Sequence, residues 1–340
     1  MDNRKNLIGL DVLKIIAATI IVFHHYQQVF EVRFPAVNFW GSRFYCGLFV
    51  ELFFVISGFL TLRSAKNETI IRAFVRKLLR IYPMAAVSSA YTLIVRSIAL
   101  DDAFLLHLLW NVKTLTANFL LFFAGWPFFS LVGINTPLWF LCVLIQCYMV
   151  HYAILWLCDN CRLKAEWIMI STIILIAFLN HFGYIPWVTY RGIEAFLIGE
   201  LLEKHINEVP ANGYILVAGG IVFFAVSLFV SDYYQRVLVT FLTFPLLTAA
   251  MARINVKAAV QIQNDISVCG KASFEVFLWH YPLMATEQMI QRLTGIEISR
   301  SYLTMIVFTA AVWILACMMY RFVEKPIQDT IRRRLFTVPG

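Results

Sequence analysis

Apolar runs near the length of a bilayer's hydrocarbon core recur along almost the whole chain. They read as ten spans, at about 9–30, 44–62, 83–100, 137–158, 166–183, 188–203, 212–230, 236–252, 272–291 and 303–323. A helix of about 20 apolar residues crosses a bilayer. Lipid offers no partners to backbone polar groups, which leaves helices or closed barrels as spanning structures. The runs are continuous and rich in Leu, Phe and Ala, without a barrel's alternation. The expectation is an all-α, polytopic membrane bundle of about ten transmembrane helices. Composition agrees, with 61% hydrophobic and 14% charged residues, against about a quarter charged in a soluble domain.

Stretch 115–133 is also apolar, but Gly125 and Pro127 interrupt it, and it reads as re-entrant or interfacial. An eleventh span there would place Arg332, Arg333 and Arg334 outside. With ten spans both termini are cytoplasmic. Loop 63–80 then lies inside with Arg63, Lys66, Arg72, Arg76, Lys77 and Arg80 against Glu68, as do Arg162, Lys164, Lys204, Lys257 and the tail. Asp101, Asp102 and Asp232 lie outside. This is the positive-inside bias, and it accounts for the net charge of +8 without nucleic acid. The expected location is a plasma membrane, the inner one of a bacterium. Residues 1–340 read as a single membrane domain with no appended soluble domain and no repeat. The run after Arg4 and Lys5 is too long and too charged for a cleavable signal. Seven cysteines are scattered, and Cys158-x-x-Cys161 lacks a second pair or histidine at zinc spacing, so no metal is expected.

The first span carries Asp11, Lys14, His24 and His25. Lys14 and His25 are eleven residues apart, about three turns and about 16 Å along nearly one helix face. Ionisable groups at membrane depth are costly and mark a bundle interior or watery cavity. Glu51 in the second span needs a cation or an imidazole to orient. Ser57-Gly58 there suits close helix packing. Arg76-Lys77-Leu-Leu-Arg80-Ile-Tyr82-Pro83 combines a juxtamembrane basic run with an interfacial tyrosine and a proline able to start the third span. Its forks match phosphates, of a ligand or of lipid headgroups. The fourth span opens Asn135-Thr-Pro-Leu-Trp139, placed to bond a sugar hydroxyl and stack on its face, and Gln146 suits a helix–helix hydrogen bond. Arg191 and Glu194, three apart, can pair on one face of the sixth span. In the ninth, Leu278-Trp-His280-Tyr-Pro282 predicts a kink beside a buried imidazole, because proline frees a backbone carbonyl.

These stretches together resemble the membrane acyltransferase-3 family. Its marks are an Arg-x10-His first span, a Val-(Asp/Glu)-Leu-Phe-Phe-x-(Leu/Ile)-Ser-Gly-Phe second span, an Arg-x-x-Arg-(Ile/Leu)-(Tyr/Phe)-Pro run and a late Leu-Trp-His-x-Pro. Here they stand as Lys14-x10-His25, Val50 to Phe59, Arg76 to Pro83 and Leu278 to Pro282, in order, with a closing Tyr320-Arg321-Phe-Val-Glu324-Lys-Pro326. Two departures stand out. The arginine is Lys14, which keeps the charge but loses the bidentate fork. In the pattern Trp-x-Leu-x-Val-Glu-x-Gln the glutamate is Leu144, while Trp139, Leu141, Val143 and Gln146 match.

The resemblance implies transfer of an acyl group, usually acetyl from acetyl-CoA, to a hydroxyl of an exported or cell-surface glycan such as O-antigen, capsule or exopolysaccharide. It implies His25 as catalytic base with Glu51 orienting it, and Lys14, Arg76, Lys77, Arg80 and Tyr82 around the CoA phosphates. Asn135, Trp139, Arg191, Glu194 and His280 are then expected to bind the acceptor. Direct transfer and an acyl-histidine both fit. The partners are acyl-CoA, a glycan or lipid-linked saccharide and the bilayer. The competing class is a transporter of a small molecule or lipid-linked glycan, disfavoured by the missing repeat. A weaker one is a scaffold, which would tolerate neutral replacement of Lys14, Glu51 and His25.

Overall fold

The computed structural model describes residues 7–64, 69–99, 112–126, 131, 133–209, 211–254 and 259–336. Lys66, Glu68, Asp101, Asp102, Pro127 and Lys257, which entered the reading of topology, lie outside the described residues. The described residues form thirteen α-helices, with no strand among them. In chain order they are α1 (Ile8–Val29), α2 (Phe49–Ser64), α3 (Ile70–Ala99), α4 (Val112–Phe119), α5 (Trp139–Cys161), α6 (Ala165–His181), α7 (Trp187–His205), α8 (Gly213–Ser227), α9 (Asp232–Leu238), α10 (Phe244–Arg253), α11 (Val260–Thr294), α12 (Tyr302–Met319) and α13 (Lys325–Phe336).

Among the described residues, six helical stretches are long and apolar enough to cross a membrane: Ile8–Val29, Cys46–Arg63, Ile70–Ala99, Thr136–Cys161, Asp232–Arg253 and Tyr302–Ile331. α6 and α8 are shorter apolar helices. α7 and α11 fall below that apolarity for a reason that bears on function. They carry polar residues of the interior, among them Arg191, Glu194 and Glu200 on α7 and Glu275 and His280 on α11, and α11 adds the exposed Lys271. A polytopic all-α membrane bundle is the result.

Three local features bear on the expected boundaries. The third helix starts at Ile70, so most of the basic run is helical rather than loop, and Pro83 lies inside α3 instead of opening it. Buried Ile81, Met84 and Ala85 hold the helix through the proline. In stretch 115–133, α4 ends at Phe119. Leu121 and Gly125 follow with positive φ. Two five-residue π turns, Val239–Thr243 and Tyr320–Glu324, join α9 to α10 and α12 to α13.

Two close approaches position the site. A Cβ on Gly58 would sit 1.9 Å from the Phe196 carbonyl oxygen, and one on Gly199 would sit 2.0 Å from that of Val55. Glycine thus lets α2 and α7 run side by side and parallel, with Glu51 beside Arg191. A Cβ on Gly270 would sit 2.3 Å from Asp11 Cβ, so α1 and α11 pack closely there, and farther along His25 comes beside His280.

Candidate active site

At one end of the bundle a cavity of about 170 Å³ is lined by four cationic side chains, Lys14, Lys77, Arg80 and Lys271. α1 supplies the first, α3 the next two and α11 the last. Lys14 pairs with Asp11 one turn earlier at 2.6 Å. Lys77 donates to Thr61 Oγ1 at 2.9 Å and lies 4.7 Å over the Tyr148 ring. Four cations round one small space suit a ligand with several phosphate charges. The expected set divides here. Lys14, Lys77 and Arg80 line the cavity, whereas Arg76 and Tyr82 do not. The Tyr82 hydroxyl instead donates to the Leu120 carbonyl at 2.8 Å, tying α3 to the segment after α4. Lys271 was missed because it stands one residue before the ninth apolar run and reads as a flank. Leu144, in place of the familiar glutamate, also lines the cavity.

The cavity lining is also aromatic, with Phe53, Phe140, Phe274 and Phe277. From there a column of ring contacts runs through the bundle. Phe53 meets Phe140 at 6.2 Å, Phe140 meets Phe277 at 4.9 Å, and Phe277 meets His280 edge-on at 5.8 Å between centroids. His280 stacks on His25 at 5.2 Å with planes 28° apart. His25 contacts His24 at 5.2 Å, and His24 contacts Tyr45 at 5.3 Å. Lys14 and His25, on one helix, therefore mark the basic cavity and the imidazole cluster.

The hydrogen bonds of the cluster fix its chemistry. His24 Nδ1 lies 2.8 Å from the Phe39 carbonyl and His280 Nδ1 3.0 Å from that of Val276. A carbonyl only accepts, so both Nδ1 atoms carry hydrogen in the neutral rings, and Nε2 keeps its lone pair. His25 Nδ1 makes the equivalent contact to Gln28 Oε1 at 3.0 Å. His280 is fully buried and its Nε2 has no partner among the described residues. Such an imidazole is a ready acceptor or base. No group of three or more His, Cys, Asp or Glu among the described residues is placed to hold a metal.

Pro282 frees the Leu278 carbonyl, as the motif predicts. Ser88 Oγ donates to it at 2.8 Å and Asn135 Nδ2 at 3.0 Å. Asn135, expected at a sugar, thus spends its amide nitrogen on α11 and on Ser88 Oγ, while its Oδ1 stays buried and unpartnered.

Beyond the imidazoles lies a buried charge quartet. Arg191 grips Glu51 with both ends of its fork, Nε to Oε1 at 2.7 Å and Nη2 to Oε2 at 2.8 Å. Arg236 pairs with Glu194, and its Nε lies 3.8 Å from Glu51. The expected Arg191–Glu194 pair is therefore replaced by two pairs between helices, because each fork faces a carboxylate on a neighbouring helix. Glu51 meets the guanidinium groups of Arg191 and Arg236 rather than the imidazole expected beside it. Trp139 lies 5.7 Å from the Arg191 guanidinium, and Trp187 and Tyr190 flank that of Arg236 at 4.8 and 4.5 Å. Tyr45 interacts with Arg191 and links the quartet to the ring column. Arg236 was missed because it opens an apolar run and reads as an interfacial cation.

Two further buried contacts had no sequence reading. His151 pairs with Glu200 between α5 and α7, and Trp279 donates to Glu275 at 2.9 Å. Gln146 accepts from Thr189 at 3.2 Å, the expected helix–helix bond.

A family model described as an acyltransferase domain matches residues 7–320. No curated protein and no solved structure matches the chain.

Proposed function

This chain belongs to the acyltransferase domain family matched over residues 7–320, and from that premise we propose that it moves acetyl from acetyl-CoA to a hydroxyl of an exported or cell-surface glycan. The observation that carries the reading is the column of rings between a four-cation cavity and a cluster of three imidazoles. A donor with phosphates at one end and a thioester at the other suits that order of groups. Lys14, Lys77, Arg80 and Lys271 would hold the phosphates from the cytoplasmic side. The pantetheine arm would enter between Phe53, Phe140 and Phe277.

His25 is the base. It is only partly buried, unlike His24 and His280, so a substrate hydroxyl has access to it. Its Nε2 takes the hydroxyl proton as the oxygen attacks the thioester carbonyl. The new C–O bond forms, the C–S bond breaks, and the proton passes to the departing CoA thiolate. Glu51 supports the acceptor end through Arg191 rather than through His25. Arg76 and Tyr82, away from the cavity, serve topology and packing.

The test uses protein reconstituted in vesicles, labelled acetyl-CoA and surface glycans, with mass spectrometry for the gain of one acetyl group. His25→Ala is expected to abolish transfer while the protein still inserts. Transfer retained by that variant would overturn the assignment.

A further inference from the structure

The orphaned nitrogen of His280 calls for a partner. Buried side-chain polar atoms nearly always have one, and this nitrogen sits on a ring with no exposure, stacked against His25. Its tautomer is pinned by the Val276 carbonyl, so it can only accept. Its place is pinned as well, since Ser88 and Asn135 hold the Leu278 carbonyl two residues away. Asn135 Oδ1 is a second buried acceptor without a donor. The amide orientation is forced, because only its nitrogen can face that carbonyl.

Two bare acceptors, His280 Nε2 and Asn135 Oδ1, suit a ligand that brings hydrogen-bond donors. A single hydroxyl has one hydrogen, and transfer requires that His25 take it. His280 then has nothing to bind unless a second hydroxyl stands beside the first. We propose that the acceptor is a vicinal diol, such as adjacent hydroxyls of a pyranose. His25 deprotonates the hydroxyl that becomes the ester, and His280 Nε2 accepts the hydrogen of its neighbour. This rests on the acyl-transfer reading above and adds to it the class of acceptor and a role for His280. No bond changes at the second hydroxyl. A site built to bond a hydroxyl rejects the analogue that lacks it, because its own polar atom is left unpaired.

The experiment compares methyl pyranosides with their monodeoxy analogues as acceptors, using reconstituted protein and acetyl-CoA. The wild type is expected to lose at least tenfold in kcat/KM when the hydroxyl next to the acetylated one is removed. His280→Phe is expected to lose a similar factor on the diol and to stop distinguishing diol from deoxy sugar. His280→Gln, which retains an acceptor near the Nε2 position, should recover part of the discrimination. Equal rates for diol and deoxy acceptors with the wild type would overturn the inference without any variant, so misfolding cannot shelter it. Discrimination that survives in His280→Phe would overturn the role of His280. Acetylation of no pyranoside at all would overturn the acyl-transfer reading and the inference with it.

Discussion

At the scale of single residues, the Glu51–Arg191 and Glu194–Arg236 pairs set the largest energetic stakes. All four side chains are at most 7% exposed. Burying a charge is tolerable only when it is paired, and removing one partner of a buried pair costs about 3–5 kcal/mol. Arg191→Ala should therefore lower the thermal stability of the detergent-solubilised protein by an amount on that scale. Arg191→Lys should recover only part, because an ammonium cannot bond both carboxylate oxygens as the fork does. Size-exclusion monitoring after a temperature ramp measures both, and an unchanged midpoint for Arg191→Ala would refute the argument. The sequence exposed three members of this quartet as expensive groups in apolar runs. It mispaired them because helical periodicity tells which residues share a face, not which neighbouring helix that face meets. Arg236 escaped notice for a related reason: a cation at the end of an apolar run looks the same whether it meets water or carboxylates.

At the scale of elements, the freed carbonyl before Pro282 in α11 was the most legible device in the site. Pro282 after a histidine announces a freed carbonyl, and the carbonyl of Leu278 is bonded from outside its helix. The donors were not legible, since Ser88 belongs to α3 and Asn135 to the start of α5, both distant in sequence. Two donors on one carbonyl make the losses non-additive. Ser88→Ala or Asn135→Ala alone leaves the other donor in place and should cost no more than about 1 kcal/mol. The double variant leaves the carbonyl buried and bare, and its loss should exceed the sum of the singles. Unfolding midpoints of the four proteins in a double-mutant cycle check this, and simple additivity would contradict it. The same pattern explains the two helices of lowest hydropathy. α7 and α11 could not be apolar throughout and still carry Arg191, Glu194, Glu200, Lys271, Glu275 and His280. The helices that look least like membrane spans are those around which the site is built.

At the scale of the whole molecule, the bundle has two unlike ends. Lys14, Lys77, Arg80 and Lys271 converge at one, and the imidazoles and the charge quartet lie toward the other. The all-α membrane architecture was readable because bilayer thickness fixes the length of an apolar run. The cavity was not, because four cations from three helices meet only when those helices pack. If the cations receive a cytosolic phosphate-bearing donor, their end must face the cytoplasm, as the arginine and lysine bias of the loops requires. α6 makes this testable, for its ends lie about 25 Å apart at 1.5 Å per residue. Leu163 precedes it at the end where Arg162 and Lys164 stand, and Tyr184 follows it; both are exposed. In a background freed of the native cysteines, Tyr184→Cys should react with a membrane-impermeant maleimide in intact cells. Leu163→Cys should react only in inverted vesicles. The opposite pattern would put the basic cavity outside, away from any cytosolic acyl donor, and the proposed direction of transfer would fall.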